Sequence, residues 1–311
     1  MKSLSIIIPV FDEEDSLPEL IKRLLSLKKI FDRDNVLIDF IFVDDGSKDT
    51  SLEILKKICS ENNFFKAISL TRNFGHQVAI SAGIDIVNSD YVAIIDADLQ
   101  DPPELIYDMY KVFTNEIDVV YGQRLERKGD SFFKRFSAKV FYRLLNYLSG
   151  TKIPSNTGDF RIINRKVVDV LKNMKEKNRF VRGMIPWTGF NEVAFGYVRE
   201  KRFSGKTKYP LRQMIRFAVS AILSFSSKPL TLTIRIGVLI TSFGFLGGIL
   251  LLYLELFTSY PVPFLSSILL PIIFFSGLQI SLIGLIGIYI ASIFDEVKER
   301  PLYLINEKIN L

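Results

Sequence analysis

Ile94-Ile95-Asp96-Ala97-Asp98-Leu99-Gln100-Asp101-Pro102-Pro103 decides how the chain is read. An apolar run ends in two carboxylates two residues apart, followed by a Pro-Pro-Glu sequence at 102–104 of the kind a helix N-terminus accepts. A short β-branched run with this ending reads as a buried parallel strand that delivers acids from its C-terminal end. The signature recurs at Leu4–Val10, Ile38–Val43, Ala67–Leu70 and Val119–Tyr121 around the central Tyr91–Ile95 run. Helical patterns at Ser16–Leu27, Thr50–Cys59, Val78–Val87 and Pro103–Phe113 lie between them. Such alternation predicts an α/β fold: a doubly wound, mostly parallel sheet with helices on both faces. Ligands of open α/β sheets sit at the carboxyl ends of the strands.

Two further acidic turns end strands in the same way, Phe11-Asp12-Glu13-Glu14 and Asp44-Asp45-Gly46-Ser47. Carboxylates at several strand ends make a crevice suited to a nucleotide, accepting from base N–H groups or ribose hydroxyls. Asp96, Asp98 and Gln100 are hard oxygen donors suited to Mg2+ or Mn2+, which in turn bind phosphate oxygens. An EF-hand loop starting at Asp96 would need Gly at 101 and Glu at 107, where Asp101 and Tyr107 stand. No Gly-x-Gly-x-x-Gly occurs, which removes the dinucleotide fingerprint. Ser204-Gly205-Lys206-Thr207 ends like a phosphate loop, but Glu200 occupies the position that needs glycine. One histidine and one cysteine exclude His-rich or Cys-rich metal ligation and an internal disulfide framework; His76 and Cys59 read as structural residues.

Mean hydropathy is +0.23, and the apolar excess lies near the C-terminus. Residues 236–254 and 256–294 carry no charge, giving two candidate spans, Ile234–Phe257 and Ser266–Phe294. The 311-residue chain has a formal charge of +6, yet Arg199–Arg235 alone holds nine Lys/Arg against Glu200. A basic band abutting membrane spans fits anionic headgroups better than nucleic acid, which is not expected as a partner. Phe132–Leu148 reads as an aromatic-basic helix for a bilayer surface, and Pro210–Ser227 repeats the pattern. The neutral link Thr258–Pro263 against the basic flanks Lys228, Arg235, Lys298 and Arg300 places both termini in the cytoplasm. The expected organisation is a cytoplasmic domain over 1–208, juxtamembrane amphipathic helices over 209–229, two transmembrane helices over 230–294 and a cytoplasmic tail over 295–311. A multi-pass protein of the inner (plasma) membrane follows, with homo-oligomerisation left open.

The order of "SIIIPVFDEEDSLPEL", "FVDDGSKDTS", "LTRNFGHQVAISAGI", "IIDADLQDPPEL", "GQRLER", "NTGDFRIINRKVV", "RFVRGMIPWTGF" and "REKRFSGKTKYPL", closed by paired spans, resembles the family 2 glycosyltransferases of the GT-A fold. Within them it resembles the polyprenyl-phosphate glycosyltransferases, relatives of bactoprenol glucosyltransferase and dolichol-phosphate mannose synthase. The resemblance implies that Pro9, Glu13 and Asp44 hold the nucleoside and that Arg72 faces the base or diphosphate. It implies Asp96, Asp98 and Gln100 as the metal and diphosphate site, and Asp159 as the acidic residue near the sugar. Arg124, Arg202 and Lys208 would hold the acceptor phosphate. The implied reaction is inverting transfer of a hexose from a nucleotide sugar, UDP-glucose first, to a polyprenyl phosphate. UDP-N-acetylglucosamine and GDP-mannose are alternative donors. A processive polysaccharide synthase is the rival reading, but the Gln-x-x-Arg-Trp of those enzymes is lacking: the one tryptophan, Trp187, follows Ile185-Pro186. A scaffold that only binds nucleotide would not need Asp96, Asp98 and Asp159 intact.

Overall fold

The computed structural model describes residues 1–125, 154, 157–200 and 264–311, with isolated positions between 230 and 257. The chain divides into two compact units, one comprising Met1–Tyr147, Thr151–Ala218 and Pro301–Leu311, the other Leu148–Gly150 and Val219–Arg300.

The first unit is built on an eight-stranded sheet. Its strands are β1 (Ser3–Val10), β2 (Leu37–Asp44), β3 (Phe65–Leu70), β4 (Tyr91–Ile94), β5 (Val119–Arg124), β6 (Thr157–Asn164), β7 (Glu192–Tyr197) and β8 (Ile305–Ile309). In space they run β7-β5-β6-β4-β1-β2-β3-β8. The β4-β1-β2-β3 core is parallel, as are β5 and β7, while β6 runs antiparallel to both β4 and β5. β8 closes the far edge antiparallel to β3. The sheet is therefore mostly parallel with two antiparallel insertions, and the apolar runs had pointed only to its parallel part.

Continuous apolar runs form the central strands because both faces are covered. On one face Leu4, Ile6, Ile8 and Val10 of β1 join Phe40 and Phe42 of β2 in a core shared with α1 (Leu17–Arg33), α2 (Ser51–Glu61) and α4 (Leu105–Lys111). On the other, Ile7 packs against α3 (His76–Ile86), where it lies within 3.2 Å of the position a Cβ on Gly83 would take. In α1 the residues Leu17, Leu20, Leu24, Leu27 and Phe31 recur at helical spacing and are fully buried; each such side chain contributes about 1.5–3 kcal/mol. Pro18 and Glu19 open that helix, and Asn35, in the left-handed region at φ 53°, follows its end. Among the described residues the unit has two more helices, α5 (Arg165–Asn173), capped by the Asn164 side chain accepting from the Val167 N–H, and α6 (Val181–Trp187).

The second unit contains α7 (Phe264–Val297), 34 residues with Pro271 inside. At 1.5 Å per residue it is about 50 Å long. Within it Leu278–Val297 is the one helix among the described residues long and apolar enough to cross a membrane. The second expected span falls inside α7, whereas nearly half of Ile234–Phe257 lies outside the described residues. So do the expected interfacial helices Phe132–Leu148 and Pro210–Ser227.

Candidate active site

Strand register assembles the site. β4 and β6 pair antiparallel with Ile94 opposite Arg161. Continuing two residues along each strand sets Asp96 opposite Asp159, although 63 positions separate them in the chain. β5 pairs with β7 with Arg124 beside Tyr197, and with β6 with Gln123 opposite Thr157. Asp96, Asp159 and Arg124 therefore arrive at one edge from three different parts of the sequence.

His76, the first residue of α3, bridges the two acids: its Nε2 lies 3.3 Å from Asp96 Oδ1 and 3.3 Å from Asp159 Oδ2. Asp159 Oδ2 also accepts from Gln77 Nε2 at 3.1 Å and from Arg182 Nη2 at 3.0 Å. The Gln77 amide oxygen accepts in turn from the Val181 N–H, which fixes that amide between α3 and α6. Asp159 Oδ1 is buried without a hydrogen-bond partner. Burial by itself would raise the Asp159 carboxyl, but Arg182, His76 and Arg161 outweigh it and hold it well below the usual carboxylate range. Burial lowers the His76 imidazole, yet Asp96 and the hydrogen bond to Asp159 prevail and lift it to about 9, so the ring is charged at neutral pH. Burial drives Asp96 the other way, upward, with Asp101, Asp159 and Asp98 adding to the push and His76 opposing it. Four carboxylates thus repel one another in a space that a divalent cation would neutralise. Among the described residues, His76, Asp96 and Asp159 offer ligand atoms within 4.8 Å of one another. Asp98 does not join this trio: its Oδ1 accepts from the Gln100 N–H in a turn that forces Leu99 to φ 59°. A left-handed leucine costs about 1–2 kcal/mol, strain held at the functional loop.

The acids after β1 and β2 are occupied differently. Asp44 is buried, with Oδ1 accepting from the Ser47 N–H and Oδ2 from the Ser69 hydroxyl. Its neighbour Asp45 accepts from the Phe74 and Gly75 N–H groups. Glu13 Oε2 accepts from the Ser16 hydroxyl, and the Glu13 carbonyl from the Ser16 and Leu17 N–H groups. Pro9 is buried on β1 beside Val43. Arg72 is exposed, its guanidinium stacked 4.1 Å from the Phe74 ring centroid. Gly46 has φ +69°, and a Cβ there would meet the Arg72 carbonyl carbon at 2.5 Å, so only glycine lets these two loops touch.

Arg124 is tethered rather than projecting. Its Nη2 lies 3.9 Å from Asp101 Oδ2, and its Nε donates to the Tyr197 hydroxyl at 3.4 Å. Arg202 and Lys208 lie outside the described residues. The sequence offers no functional signal for Gln77, Asp101, Arg182, Tyr197 or Arg199, and His76 reads from it as structural. No spacing signals them, because their partners lie 20 to nearly 100 residues away.

The glycosyl transferase family 2 model matches residues 5–171, more than half of the chain and nearly all of the β1–β6 scaffold just described. The protein is a family 2 glycosyltransferase. Its α/β fold is of the GT-A type, and it is a transferase by family. The uncharacterized glycosyltransferase YkcC of Bacillus subtilis is 44% identical over 99% of this chain and 94% of its own. The SfII prophage-derived bactoprenol glucosyl transferase of Shigella flexneri is 35% identical over 98% of this chain and 97% of its own. Among solved structures, glucosyl-3-phosphoglycerate synthase of Mycobacterium tuberculosis, in complex with Mn2+, UDP and phosphoglyceric acid, is 18% identical. It aligns over 71% of this chain and 76% of its own with a TM-score of 0.48.

Proposed function

We propose that this glycosyltransferase moves a hexose, with inversion, from a nucleotide sugar to the phosphate of a polyprenyl phosphate, with UDP-glucose as the donor. The observation that carries the reading is the 35% identity to a bactoprenol glucosyl transferase over 98% of the chain, membrane-proximal segments included. The electrostatics are consistent with it: crowded acids at the ends of β4 and β6 stand beside the guanidinium groups of Arg124 and Arg199. Acids of that kind suit a metal-bound diphosphate, and guanidinium groups suit a second phosphate.

In this reading Pro9, Glu13, Asp44 and Arg72 frame the nucleoside, and Asp96, Asp98 and Gln100 would hold Mg2+ or Mn2+. The buried oxygens of Asp96 and Asp159 that lack hydrogen bonds, and the mutual repulsion around Asp96, fit such an ion. Bound there, the metal would neutralise charge that builds on the departing diphosphate. A lipid phosphate oxygen attacks the anomeric carbon as the bond from that carbon to the diphosphate oxygen breaks. A phosphate monoester is largely dianionic at pH 7, its second pKa being about 6, so the nucleophile needs no strong base. Asp159 suits the role of a sugar-hydroxyl acceptor through Oδ1. Held far below neutral pH by Arg182 and His76, it is too weak a base to take a proton. Arg124, Arg202 and Lys208 are the groups proposed for the acceptor phosphate.

The reading extends to topology. The organisation proposed is a catalytic region over 1–208, juxtamembrane helices over 209–229, membrane spans over 230–294 and a tail over 295–311. The tail carries β8, which pairs with β3, so the polypeptide leaves the sheet's side of a bilayer and must return to it. An even number of crossings follows, and with one crossing in α7 the 234–257 run supplies the other. Both termini then face the cytoplasm of a plasma-membrane protein.

The deciding experiment offers the full-length protein, in bilayer nanodiscs, undecaprenyl phosphate and a panel of UDP- and GDP-sugars with Mn2+ or Mg2+, and reads the lipid by mass spectrometry. A mass gain of one hexose from UDP-glucose supports the proposal. A polymer, or glucose incorporation that needs no lipid phosphate, overturns it.

A further inference from the structure

Asp101 follows the three residues proposed for the metal, is completely buried, and gathers side chains from two other strands. Its Oδ1 accepts from the Tyr197 hydroxyl at 2.5 Å and from Arg199 Nε at 3.1 Å. Its Oδ2 has no hydrogen-bond partner and faces Arg124 Nη2 at 3.9 Å. The Tyr197 hydroxyl also accepts from Arg124 Nε, so carboxylate, phenol and guanidinium close a ring. Gly158 leaves the room for it: a Cβ there would sit 2.6 Å from Arg124 Nη2 and 3.8 Å from Asp101 Oδ2. The backbone is joined at the same place, where the Glu200 N–H donates to the Gln100 carbonyl at 2.9 Å. Arg23 then grips Glu104 and Glu200 together from α1. The loop 96–101 is thus fastened to residues 197–200, the root of the basic segment that continues through Arg202 and Lys208.

In this cluster one carboxylate faces two guanidinium groups. Here one oxygen is kept for a cation at ion-pair distance, which fixes the direction of that cation and leaves its charge only half compensated. We infer that Asp101 is a positioning residue: it aims Arg124 and Arg199 as a pair at the phosphate of the acceptor and ties that pair to the loop on the donor side. The inference rests on the acceptor class proposed above, and it adds Arg199 to the groups that meet the phosphate.

The test compares full-length wild type, Asp101→Asn and Tyr197→Phe in nanodiscs. Titration calorimetry measures the Kd of a short-chain polyprenyl phosphate and, separately, of UDP with Mn2+; acceptor KM and kcat are measured alongside. Asp101→Asn should weaken lipid phosphate binding and raise acceptor KM about tenfold, with UDP affinity within about twofold of wild type. Tyr197→Phe should move the same constants in the same direction by about threefold, and it decides the matter alone if Asp101→Asn does not fold. Unchanged lipid phosphate affinity in the folded variants overturns the inference. So does a loss of UDP affinity that matches the loss for the lipid, since the carboxylate would then serve the donor loop. A wild type that binds the lipid phosphate but transfers no hexose would overturn the proposed reaction and leave the Asp101 assignment standing. A wild type that binds no lipid phosphate would overturn both.

Discussion

The two halves of the sheet's carboxyl edge use acids in opposite ways. After β1 and β2, several acids accept from backbone N–H groups and hydroxyls. Asp12 accepts from the Lys48 N–H, Asp49 from the Glu14 and Ser51 N–H groups, and Glu14 from the Thr50 N–H and hydroxyl. Asp44 and Asp45 follow the same rule. After β4 and at the start of β6, the acids Asp96, Asp101 and Asp159 each keep one buried oxygen without a hydrogen bond and face cations instead. The first arrangement is a knitted loop scaffold whose carboxylates stand in for missing backbone partners. The second is an unfinished electrostatic site. An acidic motif in a sequence does not reveal which of the two it will become; the partners do.

The contrast is sharpest if substitutions on the two sides fail in different currencies. Asp98→Asn should reduce hexose transfer by about a thousandfold or more while the unfolding midpoint moves by only a few degrees, because a neutral amide cannot replace charge at a divalent site. Product formation by mass spectrometry and a thermal scan check this; activity above a few per cent would remove Asp98 from the metal site. Gly46→Ala, on the knitted side, should instead cost stability, on the order of 2–4 kcal/mol. It forces a side chain into a left-handed position against the Arg72 backbone, and denaturant titration reads the loss. A stable Gly46→Ala protein would show that the Asp44–Ser47 turn is looser than its contacts imply.

Gly158→Ala probes the junction between the halves more gently. The new methyl meets the end of a flexible arginine rather than backbone, so Arg124 swings and the protein stays folded. Acceptor KM should rise about fivefold with UDP affinity preserved. Equal losses for both substrates would place Arg124 on the donor side.

The smallest effect concerns the Arg23–Glu104 pair, bidentate at 2.7 and 2.5 Å but partly exposed. Burial raises the Glu104 carboxyl, and the Arg23 hydrogen bonds more than reverse that, leaving it below its ordinary value. A carboxylate lowered in the folded state stabilises the fold above its unfolded pKa near 4.5, and that contribution is lost as pH falls through the lowered folded value. Glu104→Gln should therefore lower the melting midpoint by about 2 °C at pH 7, and by progressively less as the pH falls below 4.5.

How far the sequence reached follows the same divide. β1, β2 and β4 were legible because both faces are covered and their residues run continuously apolar. β6 was not: Arg161 interrupts Thr157–Asn164, and only the fold reveals that its guanidinium turns back to the Gly158 carbonyl. β7 and β8 are short edge strands of alternating exposure, as in Ile305-Asn306-Glu307-Lys308-Ile309, which resembles any polar tail. At the site, motif order pointed to Asp96, Asp98, Asp159 and Arg124. His76 was read as structural because a lone histidine has no spacing to speak for it; antiparallel register, not local sequence, brings Asp96 and Asp159 to its two sides.

The β8 strand also sets a schedule for synthesis. Asn310 donates through its side-chain amide to the carbonyls of Cys59 and Phe65, and Lys56 pairs with Glu307 at 2.6 Å, contacts that span up to 251 residues of chain. Until Ile305–Ile309 has been made, β3 is an open edge, and open edges template wrong pairings. Closing so long a loop adds entropy only logarithmically, so the cost is mainly one of time. The nascent chain must carry an unfinished sheet until β8 is made. Loss of the last ten residues should therefore be felt first as aggregation during expression, before any change in chemistry.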